Sequence, residues 1–128
     1  MAGARHLYVH LPFCSHRCGY CDFATWADRA HLVDDYVAAC VVALARQRAA
    51  GLPPATTVFL GGGTPSLLDG NQVGRLLDAI PRAVGAEVTV ECNPDSVDAE
   101  RLGAYAAAGV NRISLGVQSM RQIGRAHV

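Results

Sequence analysis

Apolar positions along the chain follow two rhythms that take turns, short runs with a period of two and longer stretches with a period of about 3.6. The segment His6-Leu-Tyr-Val-His-Leu-Pro-Phe13 reads as a first strand, closed by Pro12. Leu32, Val33, Tyr36, Val37, Cys40, Val41 and Leu44 then recur at helical spacing, and Gly51, Pro53 and Pro54 stop that helix. Thr56 to Leu60 is a second strand, followed by the run Gly61-Gly-Gly-Thr-Pro65. Asp69 and Gln72 have the spacing of a capping box ahead of a second helix that carries Val73, Leu76, Leu77 and Ile80. Glu87-Val-Thr-Val-Glu-Cys92 alternates as a third strand and ends at Asn93-Pro94. Ser96 is placed to cap a third helix, with Leu102 and Tyr105 on its apolar side and Gly109 as a left-handed terminator. Asn111 to Gln118 is the fourth strand, with Ile113, Leu115 and Val117 on one face and Ser114, Gly116 and Gln118 on the other.

Strand and helix alternate three times before the last strand, which implies right-handed crossovers and a parallel α/β sheet of about four strands and three helices. The order has a spatial consequence. Every unusual polar group follows or ends a strand: a cysteine-rich loop after the first, the glycine run after the second, Glu91 and Asn93 at the third, Gln118 and Ser119 at the fourth. All gather at the carboxyl edge, where parallel α/β folds place their sites. A complete barrel needs at least about 200 residues, so the chain is expected to be the amino-terminal part of a longer, TIM-like barrel. Residues 1–122 are assigned to that core domain. The last six residues, Ile123 to Val128, match one codon choice of a common sequencing adapter and are expected to be a non-native tail.

Composition narrows the classes. The chain has 128 residues and 51% hydrophobic content, enough for a core without disulfides. Its 11 basic residues, all arginine, balance 11 acidic ones, so no field draws nucleic acid or an anionic membrane. No apolar stretch is long enough to span a bilayer. Met1 to Arg5 leads straight into a strand without a signal sequence, and a cytoplasmic location is expected. Five cysteines, three of them crowded together, favour metal binding over disulfides in a reducing compartment.

Cys14, Cys18 and Cys21 form a C-x3-C-x2-C run directly after the first strand. Three thiolates select an iron-sulfur cluster or zinc over hard cations, and a cubane held by three cysteines leaves one iron free. The bland alternative is a closed structural zinc site completed by His10, His16 or Cys92. Gly61, Gly62 and Gly63 let backbone approach a ligand closely and tolerate positive φ, although a plain turn would use them too. The missing lysine rules out a Walker phosphate loop. Glu91 lies opposite Val88, Val90 and Cys92 on its strand, so it can point into the site or simply be a solvated strand end. Cys40, on the first helix's apolar stripe, and Cys92 are expected in the core.

The stretches Tyr8-Val-His-Leu-Pro-Phe-Cys14, Gly61-Gly-Gly-Thr-Pro-Ser66, Glu91-Cys-Asn-Pro94 and Gly109-Val-Asn-Arg-Ile-Ser-Leu-Gly-Val-Gln-Ser119, together with the cysteine spacing and Tyr20, resemble the radical S-adenosylmethionine (SAM) proteins related to oxygen-independent coproporphyrinogen III oxidase. The resemblance covers nearly the whole chain up to Ser119. It implies a partial (β/α) barrel, and a 4Fe-4S cluster on Cys14, Cys18 and Cys21 whose free iron chelates SAM and whose electron splits the sulfonium to a deoxyadenosyl radical. It further implies SAM contacts from Gly62, Gly63 and Thr64 at the methionine end, from Glu91 and Gln118, from Tyr8 near the cluster and from Tyr20 beside adenine, with His10 a weaker candidate.

Oxidases of this family carry another cysteine two positions after the third cluster cysteine. Phe23 stands there, in the form Cys21-Asp-Phe, as in the family's haem chaperones. The expected function is therefore a haem chaperone that binds the cluster, SAM and haem and delivers haem to client haem proteins. The alternative is a coproporphyrinogen oxidase that decarboxylates two propionates. Relatives carry a further SAM-binding arginine in the helix after strand four; Arg125 comes too early to be it, and poor cluster assembly and weak SAM binding are expected of these 128 residues alone.

Overall fold

The computed structural model describes residues 5–12, 26–62, 68–94 and 97–115, with the side chains of 26–30 left aside. Its elements run β1 (His6–Leu11), α1 (Trp26–Ala49), β2 (Ala55–Gly62), α2 (Gly70–Asp78), β3 (Arg82–Cys92), α3 (Ala99–Ala108) and β4 (Arg112–Leu115). The four strands form one parallel sheet whose spatial order repeats their chain order, β1-β2-β3-β4. Each crossover therefore steps the same way, and right-handed connections then place every helix on one face. Burial agrees. Val9 and Leu11 from β1, Val58 and Leu60 from β2, and Val88, Val90 and Cys92 from β3 share a single core with Val37 and Leu44 of α1, Val73, Leu76 and Leu77 of α2 and Tyr105 of α3. This winding belongs to a barrel segment; a doubly wound sheet would carry helices on both faces.

Local signals set the helix ends. At α2 the capping box forms as expected: the Gln72 N–H donates to Asp69 Oδ1 at 2.8 Å and the Asp69 N–H to Gln72 Oε1 at 2.9 Å. Gln72 Nε2 also donates to Asp34 Oδ1 at 2.8 Å, tying α2 to α1. Gly51 at φ +100° and Gly109 at φ +119° terminate α1 and α3. Beside them the Leu52 N–H reaches the Gln47 carbonyl at 2.9 Å and the Val110 N–H the Tyr105 carbonyl at 3.0 Å, the long bond of a Schellman ending.

Several boundaries and faces differ from expectation. Asp98, not Ser96, caps α3, its Oδ1 accepting from the Arg101 N–H at 2.8 Å; a carboxylate one residue before the helix outcompetes a hydroxyl three before it. Strand β2 runs on through Gly61 and Gly62, so the glycine run begins inside the sheet. Strand β3 starts early, at Arg82, with a register break against β2 between Ala55 and Thr57. Leu32 is 57% exposed because it sits at the margin of the helical stripe, and Leu102 is exposed for the same reason. Ile113 and Leu115 lie on the helix side of β4 yet are exposed, and no helix among the described residues covers them. Phe13 and Gln118, the expected ends of the first and fourth strands, lie outside the described residues.

Burial has a titration consequence. It pushes the Cys92 thiol up to about 11, the nearby Glu91 charge adding to the effect, and the Tyr105 phenol up to about 12. Both groups are held neutral in the fold. The unfolded chain would lose their protons near 9 and 10, so their contribution is complete below pH 9 and is lost as pH rises to 11 and 12. We expect the urea midpoint to fall across that window, with Cys92 accounting for on the order of 2 kcal/mol. Cys92→Ala should flatten the lower part of the curve; an unchanged pH dependence would contradict the burial of the thiol.

Candidate functional site

The pleat divides the sheet chemically. One face is the apolar core. The other presents His6, Tyr8 and His10 from β1, Thr57, Phe59 and Gly61 from β2, Glu87, Thr89 and Glu91 from β3, and Arg112 and Ser114 from β4. The register arranges these in rows, with His6 beside Thr57 and Thr57 beside Glu87, Tyr8 beside Phe59, Phe59 beside Thr89 and Thr89 beside Arg112. At the carboxyl edge His10 pairs with Gly61 and Glu91 with Ser114.

The row nearest the amino edge is polar and internally satisfied. His6 Nδ1 and Thr57 Oγ1 are 2.6 Å apart, and Arg112, from the next row, brings its Nη1 to 3.1 Å from Glu87 Oε1. Above it the surface turns aromatic. The Tyr8 ring stacks on Phe59 at 5.8 Å and on His10 at 6.1 Å, and Tyr8 remains 55% exposed.

At the carboxyl edge, backbone replaces side chain. Gly62 has φ +125°, and a Cβ there would lie 2.7 Å from the Leu11 carbonyl oxygen. A Cβ on Gly61 would lie 2.6 Å from Phe59 Cε1 and 2.9 Å from the Tyr8 hydroxyl. The Gly62 N–H donates to Glu91 Oε1 at 3.2 Å. The half-buried Glu91 carboxylate thus engages the backbone of the neighbouring strand at this edge. One of its oxygens engages Gly62, and the carboxylate has lone pairs left for a cationic or hydroxyl-bearing ligand. Period-two alternation placed Glu91 on this face; its bond to Gly62 could not be read from spacing.

Cys92, one position later, points the other way. It is 1% exposed and faces the helices, on the side of the sheet away from Glu91, and burial raises its thiol pKa. Cys40 is half-buried on α1 beside Tyr36, and burial raises its thiol as well. The Tyr36 hydroxyl donates to the His10 carbonyl at 2.6 Å and anchors α1 to the end of β1. Sequence reading placed Tyr36 in an apolar stripe; a hydroxyl amid such a stripe was the available signal.

Of the expected site residues, Tyr8, Gly62 and Glu91 are described: Tyr8 and Glu91 share the face opposite the helices, and Gly62 meets Glu91 at the carboxyl edge. Cys14, Cys18, Cys21, Tyr20, Gly63, Thr64 and Gln118 lie outside the described residues. Among the described residues no three His, Cys, Asp or Glu side chains could hold a metal ion. Two concavities, of about 510 and 330 Å³, lie at the opposite, amino edge, around Arg82 with Asn111 and around Leu52 with Pro53, and contain none of the expected site residues.

The model of the Radical SAM superfamily matches residues 8–127. The chain belongs to that superfamily, whose cofactors are a 4Fe-4S cluster and SAM. The heme chaperone HemW of Escherichia coli is 43% identical over 137 residues, covering 94% of this chain and 35% of that protein. HemW of Bacillus subtilis is 40% identical over 131 residues with the same coverage, and the mitochondrial radical S-adenosyl methionine domain-containing protein 1 of Mus musculus is 42% identical over 132 residues, covering 94% and 30%. The chain thus spans about a third of the length of these relatives. Among solved structures, coproporphyrinogen III oxidase (HemN) from E. coli, described as a radical SAM enzyme, superposes with a TM-score of 0.67 at 26% identity, covering 88% of this chain and 27% of that one. No helix among the described residues is long and apolar enough to cross a membrane.

Proposed function

We propose that the chain is the cofactor-binding part of a haem chaperone, in which Cys14, Cys18 and Cys21 hold a 4Fe-4S cluster and Tyr8, Tyr20, Gly62, Gly63, Thr64, Glu91 and Gln118 surround SAM. The observation that carries the cofactor assignment is the Glu91 carboxylate on the Gly62 amide, at the sheet edge from which the cysteine loop also departs. Backbone stripped of Cβ atoms, a carboxylate and an exposed aromatic ring fit a ligand with a cationic amino-acid end and a flat base. When bound, the cluster supplies a low-potential electron and an open iron position. The chain's own residues orient: Gly62 offers close approach, Glu91 offers negative charge, and Tyr8 walls the side towards β1.

Haem delivery to client haem proteins is supported by the relatives named heme chaperone and by Phe23, where an additional cysteine would mark the oxidases. The second reading, a coproporphyrinogen oxidase, is favoured by the likeness to HemN. Anaerobically reconstituted full-length protein, of which these 128 residues are the amino-terminal part, should bind haem and leave coproporphyrinogen III intact. SAM-dependent release of carbon dioxide from coproporphyrinogen would overturn the chaperone assignment and establish the oxidase.

A further inference from the structure

Tyrosines on two of the helices donate to backbone carbonyls outside their own helix. The Tyr105 hydroxyl of α3 donates to the Leu68 carbonyl, and both residues are fully buried. The Tyr36 hydroxyl of α1 donates to the His10 carbonyl at 2.6 Å, and this bond ends on a strand of the candidate site. Tyr36 is half-buried against the core, where phenylalanine would pack equally without a polar atom to place. Packing explains the ring and leaves the hydroxyl to be explained.

The end of β1 presses directly on the site. Among the described residues β1 has a strand neighbour on one side only, β2, where His10 and Leu11 pair with Gly61 and Gly62. A Cβ on Gly62 would meet the Leu11 carbonyl oxygen at 2.7 Å, and Cε1 and Nδ1 of the His10 ring at 3.0 Å. Backbone and ring of β1 thus both close on the Gly62 Cα. The His10 ring also stacks on Tyr8, and the Gly62 N–H reaches Glu91 on the other side. A displacement of the β1 end therefore shifts His10 and Tyr8 relative to Gly62 and Glu91.

We propose that Tyr36 is a positioning residue for the cofactor site. By holding the His10 carbonyl from α1 it fixes the end of β1, and with it the spacing of His10 and Tyr8 from Gly62 and Glu91, before SAM arrives. Fixing that spacing beforehand reduces the ordering cost of binding. Tyr36 acts through the strand and not by contact with the cofactor. The proposal rests on the assignment of Tyr8, Gly62 and Glu91 to the SAM site.

The test compares anaerobically reconstituted full-length protein with its Tyr36→Phe and Cys40→Ala variants. Cys40→Ala loosens the same helix one turn further on and leaves the Tyr36 hydroxyl in place. Iron content, SAM affinity by titration, and amide hydrogen exchange over residues 6–12 in the absence of SAM are measured. Tyr36→Phe should retain iron, bind SAM about fivefold more weakly, the equivalent of one hydrogen bond, and exchange faster over residues 6–12. Cys40→Ala should bind SAM as the unsubstituted protein does. Unchanged SAM affinity in Tyr36→Phe, or an equal loss in both variants, would overturn the positioning role. A Tyr36→Phe protein too unstable to hold iron would overturn it too, because the hydroxyl would then serve the fold at large. If the unsubstituted protein holds iron but takes up no SAM, the site assignment fails and the positioning role falls with it.

Discussion

Replacing Cys14, Cys18 or Cys21 with alanine is expected to strip the anaerobically reconstituted full-length protein of its iron, whereas Cys40→Ala and Cys92→Ala keep it. Losing even an outer-shell partner of a metal ligand typically costs about 10- to 100-fold in affinity, and losing a thiolate ligand should exceed that. The two control cysteines have different surroundings. Cys92 is buried on the helix face and held protonated, and Cys40 is packed on α1. Each should cost only packing, on the order of 1 kcal/mol. Iron analysis and the brown absorbance of the cluster read the outcome. If Cys40→Ala or Cys92→Ala also came out colourless, the ligand assignment would be wrong; a colourless unsubstituted protein with one bound zinc would remove the radical chemistry altogether.

The second large effect belongs to Gly62→Ala. At φ +125° any side chain is strained, and the new Cβ would press on the Leu11 carbonyl oxygen, a backbone atom that cannot swing aside. Strain and overpacking together should destabilise the fold by about 3 kcal/mol, roughly 10 °C in Tm for a domain of this size. In the full-length protein SAM affinity should fall more than tenfold as well, because the Gly62 amide would leave Glu91. Two other glycines serve as controls. Gly85→Ala meets only the strain of φ +77° with no atom within 4 Å, and Gly61→Ala meets the movable rings of Phe59 and Tyr8. Thermal denaturation should rank Gly62→Ala as the most damaging. A midpoint equal to that of Gly85→Ala would show that Leu11 does not press on the site.

The sheet, its winding and the helix stops were legible because each rests on local chemistry. Alternation put Val88, Val90 and Cys92 on one face and Glu91 on the other, and Gly51 and Gly109 sit where the chain must turn left-handed. Errors arose where two local signals competed. Ser96 and Asp98 could both cap α3, and Leu32 fell within the helical period while sitting at the margin of the buried stripe. What spacing could not show was contact across elements. Tyr36 with the His10 carbonyl, Glu91 with the Gly62 amide and Tyr105 with the Leu68 carbonyl each depend on which helix or strand lies beside which. A polar atom on an apolar stripe, as in Tyr36 and Tyr105, flags such a contact without naming its partner.

The agreement between the order of strands in space and in the chain bears on how the protein is made. Each new strand docks only on the one synthesised just before it, and no strand must wait for a partner from far downstream. Loop closure at every step is limited to a single helical crossover. The sheet can therefore lengthen at one edge as the polypeptide leaves the ribosome, with α1, α2 and α3 sealing the growing core in turn.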